Sequence, residues 1–181
     1  MLSRRYPTLV DIGGLLADVP HDGYREALAA SFDDPHMLTT LNDKAERASA
    51  DLFVARTRQH WRDEGFGLWF LRDMRDGAFA GWAGLRRRQL SGAETVEFAY
   101  ALAPRLRCKG HALRIGEAAT ELGFRNLGLE EIVAVVPAGD EHAVPVVERL
   151  GFSLDGPTAD GAGPRGIVYR RKAKAALAPV T

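Results

Sequence analysis

The sequence predicts a mixed α/β fold, a layered domain in which helices flank a mixed sheet. Three observations carry that prediction. Residues 97–112 read E-F-A-Y-A-L-A-P-R-L-R-C-K-G-H-A, an apolar and aromatic strand, a proline, a short basic loop with one glycine, and the start of a helix-period pattern. Upstream, two apolar runs at 68–74 and 78–87 are separated by Arg75-Asp76-Gly77, and an Asp-Gly pair between apolar runs is a hairpin signal. Downstream, helical and β-branched segments alternate to the end of the chain.

Taken in order, Thr8 to Ile12 forms a candidate strand closed by Gly13-Gly14, and a helix is expected from Tyr24 to Phe32, broken by Asp33-Asp34-Pro35. Asn42 is a candidate cap for a longer helix to about Arg62, because Ala45, Ala48, Leu52 and Ala55 recur at helical spacing. Gly65 and Gly67 end that region. Leu68–Met74, Ala78–Arg87 and, after a turn at Ser91-Gly92, Glu97–Leu102 form an antiparallel meander. Pro104 stops the third strand, since proline cannot donate to a sheet ladder. From Ala112, Ile115, Ala118, Ala119 and Leu122 line one helix face, and Gly128 is placed as a left-handed cap after Leu127. Ile132–Val136 is a short strand, a helix ends at Leu150 with Gly151 as its stop, and Phe152 begins another strand. The glycine- and proline-rich run 156–166 is a loop, Ile167–Arg171 is the last strand, and Ala173–Thr181 is a frayed tail. There is no internal repeat or low-complexity linker, so one domain is expected over 1–181. It divides into an N-terminal strand-and-helix part (1–64), a core (65–172) and the tail (173–181).

Composition excludes several classes. The chain is 46% hydrophobic and 27% charged, with 24 basic and 24 acidic side chains, so no global field recruits nucleic acid or an anionic membrane. Basic residues cluster locally at Arg86–Arg88, Arg105–Lys109 and Arg170–Lys174, and the first and last read as solvated strand ends. The single cysteine, Cys108, excludes an internal disulfide framework and suits a reducing cytosol. No stretch approaches the apolar length of a membrane span, and the N-terminus lacks a signal-peptide core.

The loop at 103–112 carries the chemistry. A helix start leaves backbone N–H groups unpaired and bears partial positive charge, and a glycine there lets the main chain come close to phosphate oxygens. Strand, basic glycine loop and helix together propose a phosphate-bearing ligand over a strand end. An ordinary strand–helix connection has the same appearance. The loop is neither a G-x-x-x-x-G-K-S/T phosphate loop nor a G-x-G-x-x-G dinucleotide fingerprint.

With the element order in place, the sequence resembles the GNAT superfamily of N-acetyltransferases, and most of all the branch that acetylates protein N-termini, ribosomal proteins included. The family loop is Arg or Gln, two residues, Gly, one residue, then Gly or Ala. Here it is Arg107-Cys108-Lys109-Gly110-His111-Ala112. The upstream E-x-G-Y strand appears as Glu97-Phe98-Ala99-Tyr100, and the helix ending E-K-L-G-F as Glu148-Arg149-Leu150-Gly151-Phe152. Gly67-Leu68-Trp69 and the Gly81–Leu85 strand also fit, so the resemblance covers roughly 65–155. It implies acetyl-CoA as donor, with its pyrophosphate on the backbone of 107–112 and its pantetheine arm paired to the main chain at about Ala101 and Leu102. It also implies a sheet splayed between the central strand and Ile132–Val136. Residues 65–172 would then be the acetyl-CoA-binding core. Two positions depart from the family's Asn-x-x-Ser: Asp140 brings a charge where asparagine steadies the pantetheine, and Ala143 lacks the hydroxyl proposed to protonate the leaving thiolate. Pro145 disfavours helix at Val144, which predicts a late start for that helix.

The implied reaction is direct attack of a primary amine, on a protein or peptide N-terminus or a small molecule, with no covalent enzyme intermediate. Glu97 is the candidate base, acting through water, or else a structural carboxylate paired to a neighbouring arginine. Tyr100 is a candidate acid or a core aromatic. Cys108 has no histidine–carboxylate partners in view for nucleophilic work, and the histidines show no metal spacing, so no metal is expected. Trp61, Trp69 and Trp82 are expected in the core or the acceptor wall. The expected partners are acetyl-CoA and the amine acceptor, without nucleic acid or membrane, in the cytoplasm, with a homodimer as a candidate assembly. A non-catalytic acyl-CoA-binding or sensor module is the alternative, motivated by Asp140 and Ala143. A nucleic-acid-binding surface at Arg86–Arg88 is a remote third.

Overall fold

A computed structural model of the chain describes residues 5–38, 41, 48–158 and 166–174. Among the described residues eight strands form one sheet in the order β1-β2-β3-β4-β5-β6-β8-β7. They are β1 (Leu9–Asp11), β2 (Leu15–Asp18), β3 (Leu68–Asp73), β4 (Phe79–Leu90), β5 (Ala93–Leu102), β6 (Glu131–Pro137), β7 (Ser153–Pro157) and β8 (Gly166–Lys172). The α-helices among the described residues are α1 (Arg25–Ser31), α2 (Pro35–Leu38), α3 (Ala50–Glu64), α4 (His111–Asn126) and α5 (Ala143–Arg149). All neighbours pair antiparallel except β5 and β6, which run parallel.

The expected meander is β3-β4-β5. The Ser91-Gly92 turn has both residues at positive φ, 51° and 78°, which matches the right-handed twist of a hairpin, and it pairs Leu90 with Ala93. Both strands run further than the hydrophobic pattern indicates, because Arg88–Leu90 and Ala93–Val96 also pair across the turn. At the N-terminus the structure differs from expectation. Gly13-Gly14 does not close a lone strand but turns it back into β2, with the Gly14 amide donating to the Asp11 carboxylate at 3.0 Å. Pro35 does separate α1 from the next helix, yet it also opens that helix, α2, where a missing N–H costs nothing. Among the described residues α3 begins after Ser49, whose Oγ accepts the Leu52 amide at 3.2 Å. Asn42, the expected cap, lies outside the described residues, as do 159–165 of the expected loop and 175–181 of the expected tail.

Strand alternation sends side chains to two cores. On one face Trp69, Leu71, Leu85, Phe98 and Leu102 pack under Ile115 and Ala119 of α4 and Val147 of α5. On the other, Leu68, Phe70, Trp82, Ala99 and Ala101 pack under Leu28 of α1, Met37 of α2 and Phe53 and Val54 of α3. Each large apolar side chain of this kind contributes about 1.5–3 kcal/mol when fully buried. The three tryptophans are core residues, Trp69 and Trp82 with no exposed surface and Trp61 at 7%. The β4–β5 ladder is close enough that Gly81 is required: at φ 125°, a Cβ there would sit 2.1 Å from the Ala101 carbonyl oxygen. No helix among the described residues is long and apolar enough to cross a membrane.

Candidate active site

The sheet opens between β5 and β6. β5 and β6 share a single register pair, Glu97 with Val133, and then separate. A cavity of about 450 Å³ fills the fork, walled by the second half of β5, the end of β6, the loop before α4 and the start of α5. The direction of the β5 backbone follows from its other edge. The Ala103 amide donates to the Ala80 carbonyl on β4, and the Ala101 carbonyl lies against Gly81. By the two-residue period, the N–H and C=O groups of Phe98, Tyr100 and Leu102 point toward β6. Beyond the fork no register partner on β6 meets Tyr100 or Leu102. Of the two residues expected to offer main chain to a donor, Leu102 is so oriented, while Ala101 is turned toward β4.

The loop at the cavity mouth is built from unusual backbone. Leu106 anchors it at 2% exposure, and Cys108 and Gly110 take positive φ, 58° and 78°. For Cys108 this is a sparsely populated conformation. Gly110 is the N-cap of α4, and among the described residues no side chain caps the helix and a Cβ at Gly110 would meet nothing within 4 Å. The first turn of α4 therefore presents uncapped N–H groups and the positive end of a sixteen-residue helix dipole to the mouth. Lys109 is exposed beside them and Ala112 lines the wall. His111 is held below the usual histidine value by desolvation first and then by Arg114, with Arg75 and Lys109 adding to it against Asp73.

Both arginines of the loop are engaged with protein groups, and only Arg107 of the two lines the cavity. Arg105 donates to the Ala78 and Phe79 carbonyls at 3.2 Å each and lies 3.4 Å from the Asp73 carboxylate. Arg107 donates through Nε to the Leu102 carbonyl at 2.9 Å and pairs through Nη2 with Asp34, between α1 and α2. Burial works to raise the Asp34 carboxyl, but the hydrogen bonds from Arg107 and the His36 amide outweigh it and hold the group below the usual carboxylate value.

Glu97 sits at the fork itself, 3% exposed, and lines the cavity. Its Oε2 accepts from Arg86 Nε at 2.9 Å and its Oε1 from Arg88 Nη1 at 2.7 Å. The expectation of a solvated run at Arg86–Arg88 is corrected by strand alternation. Arg86 and Arg88 turn inward, their side chains 14% and 13% exposed, while Arg87 faces the other way and donates to Glu64 at 2.6 Å. The basic run at the chain's end is likewise engaged, Arg170 with Asp155 and Glu131, Arg171 with Thr120 and Glu121.

Tyr100 stacks on Phe98 with centroids 5.6 Å apart and lines the cavity, and its hydroxyl is pushed well above the usual tyrosine value by burial and then by the charge of Asp140. Asp140 is engaged locally, where Oδ1 accepts the amides of His142 and Ala143 at 3.2 Å each and so starts α5. The late start expected from Pro145 does not occur. α5 begins at Ala143, with Pro145 in its first turn, where an N–H has no intrahelical partner to lose. Among the described residues no group of three or more His, Cys, Asp or Glu could hold a metal ion.

Comparison with known proteins agrees with this geometry. The family model of the acetyltransferase (GNAT) domain matches residues 17–153. An acetyltransferase from Agrobacterium tumefaciens superposes with a TM-score of 0.76 at 19% identity, over 93% of this chain and 96% of that one. The ribosomal-protein-S5-alanine acetyltransferase of Vibrio fischeri gives 0.72 at 15% identity, over 92% and 97%. A microcin self-immunity acetyltransferase solved in complex with acetyl-CoA and AMP gives 0.69 at 12%, over 94% and 99%. On a splayed mixed sheet, a glycine loop at an uncapped helix and a family match over most of its length, the chain belongs to the GNAT family of acetyltransferases.

Proposed function

We propose that the protein is an acetyl-CoA-dependent N-acetyltransferase that passes the acetyl group directly to a primary amine, on a protein or peptide N-terminus or on a small molecule. The observation that carries this reading is the forked seam between β5 and β6, whose unpaired β5 edge runs straight to the uncapped start of α4. An extended amide-bearing arm adds to such an edge as a strand would, and a diphosphate suits the loop's N–H groups. The microcin acetyltransferase complex supports acetyl-CoA as the donor.

In this reading the pantetheine pairs with the Tyr100 main chain and the Leu102 amide, the Leu102 carbonyl being held by Arg107, and the N–H groups of the Arg107–Ala112 loop hold the pyrophosphate with Lys109 adding charge. The amine nitrogen bonds to the thioester carbonyl carbon, the C–S bond breaks and CoA leaves as the thiolate; of the two protons the ammonium loses on its way to the amide, one passes to solvent as the amide forms and the other is given up before attack. Glu97 receives that proton through a water: a carboxylate offers about four lone-pair sites, and the two arginines occupy one on each oxygen. A thiol with a reference pKa of about 8.5 leaves largely as thiolate, which fits the absence of a hydroxyl at Ala143. Asp140 spends Oδ1 on the start of α5 and lines the cavity, where it takes the place of the family's asparagine beside the pantetheine.

Incubation with acetyl-CoA and a panel of peptides and small amines, read by mass spectrometry, tests the reading. It predicts acetylated amines with matching CoA release. CoA binding without transfer to any amine would instead support the binding-only module that Asp140 and Ala143 suggest.

A further inference from the structure

Arg107 joins three segments that the donor reading keeps apart. Its Nε holds the last carbonyl of β5 at 2.9 Å, its own backbone opens the donor loop, and its Nη2 pairs with Asp34. Asp34 in turn accepts the His36 amide at 3.0 Å, and both His36 and Arg107 line the cavity mouth. The pair is partly open to solvent, with the Arg107 side chain 30% and that of Asp34 22% exposed. The segment it ties down is otherwise fixed from behind, where Met37 of α2 is buried at 1% beneath the sheet face.

A partly exposed carboxylate–arginine pair is weak, whereas a guanidinium prefers a phosphate group, which it can grip through two parallel N–H bonds. A diphosphate on the N–H groups after Arg107 therefore competes with Asp34 for the same side chain. We infer that Asp34 and Arg107 form a donor-released latch: the diphosphate of the bound donor takes Arg107 from Asp34 and unties the Asp34–His36 turn from the donor loop. This inference rests on the donor site proposed above. α2 stays seated through Met37, so the released part is the turn at the mouth, beside the route by which an amine reaches the fork. Access of the acceptor then depends on the donor being in place, and by linkage anything that pins the turn to the loop weakens donor binding. Asp34 is in this sense a positioning residue, acting through Arg107.

Calorimetric titration with CoA of the wild type and of Asp34→Asn, together with hydrogen exchange over 33–38, tests the latch. Removing the competitor should tighten CoA binding by about threefold to fivefold, the scale of one partly exposed ion pair. In the wild type, saturating CoA should raise exchange at 33–38; in Asp34→Asn exchange should be high with or without CoA. A merely structural Asp34 predicts the opposite pattern, a lower melting temperature with weaker CoA binding. Equal or weaker CoA affinity in Asp34→Asn, or exchange that falls when CoA binds to the wild type, would overturn the latch. The exchange measurement on the wild type decides the matter even if the variant folds poorly. A wild type that binds no CoA would remove the donor site itself, a failure distinct from the first.

Discussion

The two edges of β5 are built in opposite ways. Toward β4 the strand is paired from Ala93 to Leu102 without a break, and at Gly81 the approach is too close for any side chain. Toward β6 it makes one register pair and then stands apart, leaving backbone polar groups along a cavity. An unpaired sheet edge is ordinarily a liability, open to any passing strand. Here the first edge makes the second tolerable. A continuous ladder, with net contributions of about 0.5–1.5 kcal/mol per hydrogen bond, holds β5 straight so that its other side can stay open between α4 and α5. The paired seam carries the continuous ladder and the open seam borders the cavity, and Glu97, paired in register with Arg86 on one side and Val133 on the other, stands where they meet.

That division can be tested at three positions. The largest effect is expected at the fork. Glu97→Gln should lower turnover by roughly 10²–10⁴-fold, the usual scale for general base catalysis. The loss should be greatest for a lysine-like amine near pH 7, since such an amine titrates near 10.4 and is almost wholly protonated there. It should shrink for an α-amine above pH 8, whose free form is already abundant. A deficit that is flat across pH and tracks a fall in melting temperature would leave Glu97 as a clamp for Arg86 and Arg88 and nothing more. On the closed seam, Gly81→Val should cost about 3 kcal/mol or more of stability by denaturant titration, through overpacking against Ala101 and backbone strain. CoA affinity of the folded fraction should be preserved; a near-native midpoint would show that the seam is looser than its geometry. On the open seam, Gly110→Asp should reverse that pattern, weakening CoA binding at least about tenfold by calorimetry, a loss of roughly 1.4 kcal/mol. Its melting temperature should drop only a few degrees, since the added Cβ meets open space and the cost is that of a left-handed φ. Wild-type CoA affinity in that variant would move the phosphate site elsewhere.

Much of this is legible in the residues, for reasons that can be named. The meander, the splay and the loop at 107–112 follow from turn chemistry, a proline stop and a family pattern. The pairing of Glu97 with Arg86 is encoded in the turn: two residues at Ser91-Gly92 set Leu90 opposite Ala93 and, counting outward, Arg86 opposite Glu97. Alternation then places Arg88 on the same face and Arg87 on the other, so the cluster of three arginines is misleading only when taken as a cluster. β2 is hidden because four residues carry too little periodicity to separate from a loop, and only its pairing with β1 and β3 makes it a strand. The partner of Arg107 cannot be found locally. Asp34 is far away in the chain, and the Asp33-Asp34-Pro35 run has a sufficient local meaning as a helix break. Pro145 misleads because a proline at the third position of a helix and one before it leave the same mark in the sequence.

The most direct test of the open seam is residue-resolved amide exchange along β5, with and without CoA. Ala99 and Ala101, whose amides face β4, should be protected throughout. Tyr100 and Leu102, whose amides face the fork, should exchange readily in the free protein and become protected when CoA is added, as a pantetheine arm takes the place of a missing strand. CoA that binds while Tyr100 and Leu102 exchange at unchanged rates would contradict the open seam as the donor site, because the donor would then lie elsewhere.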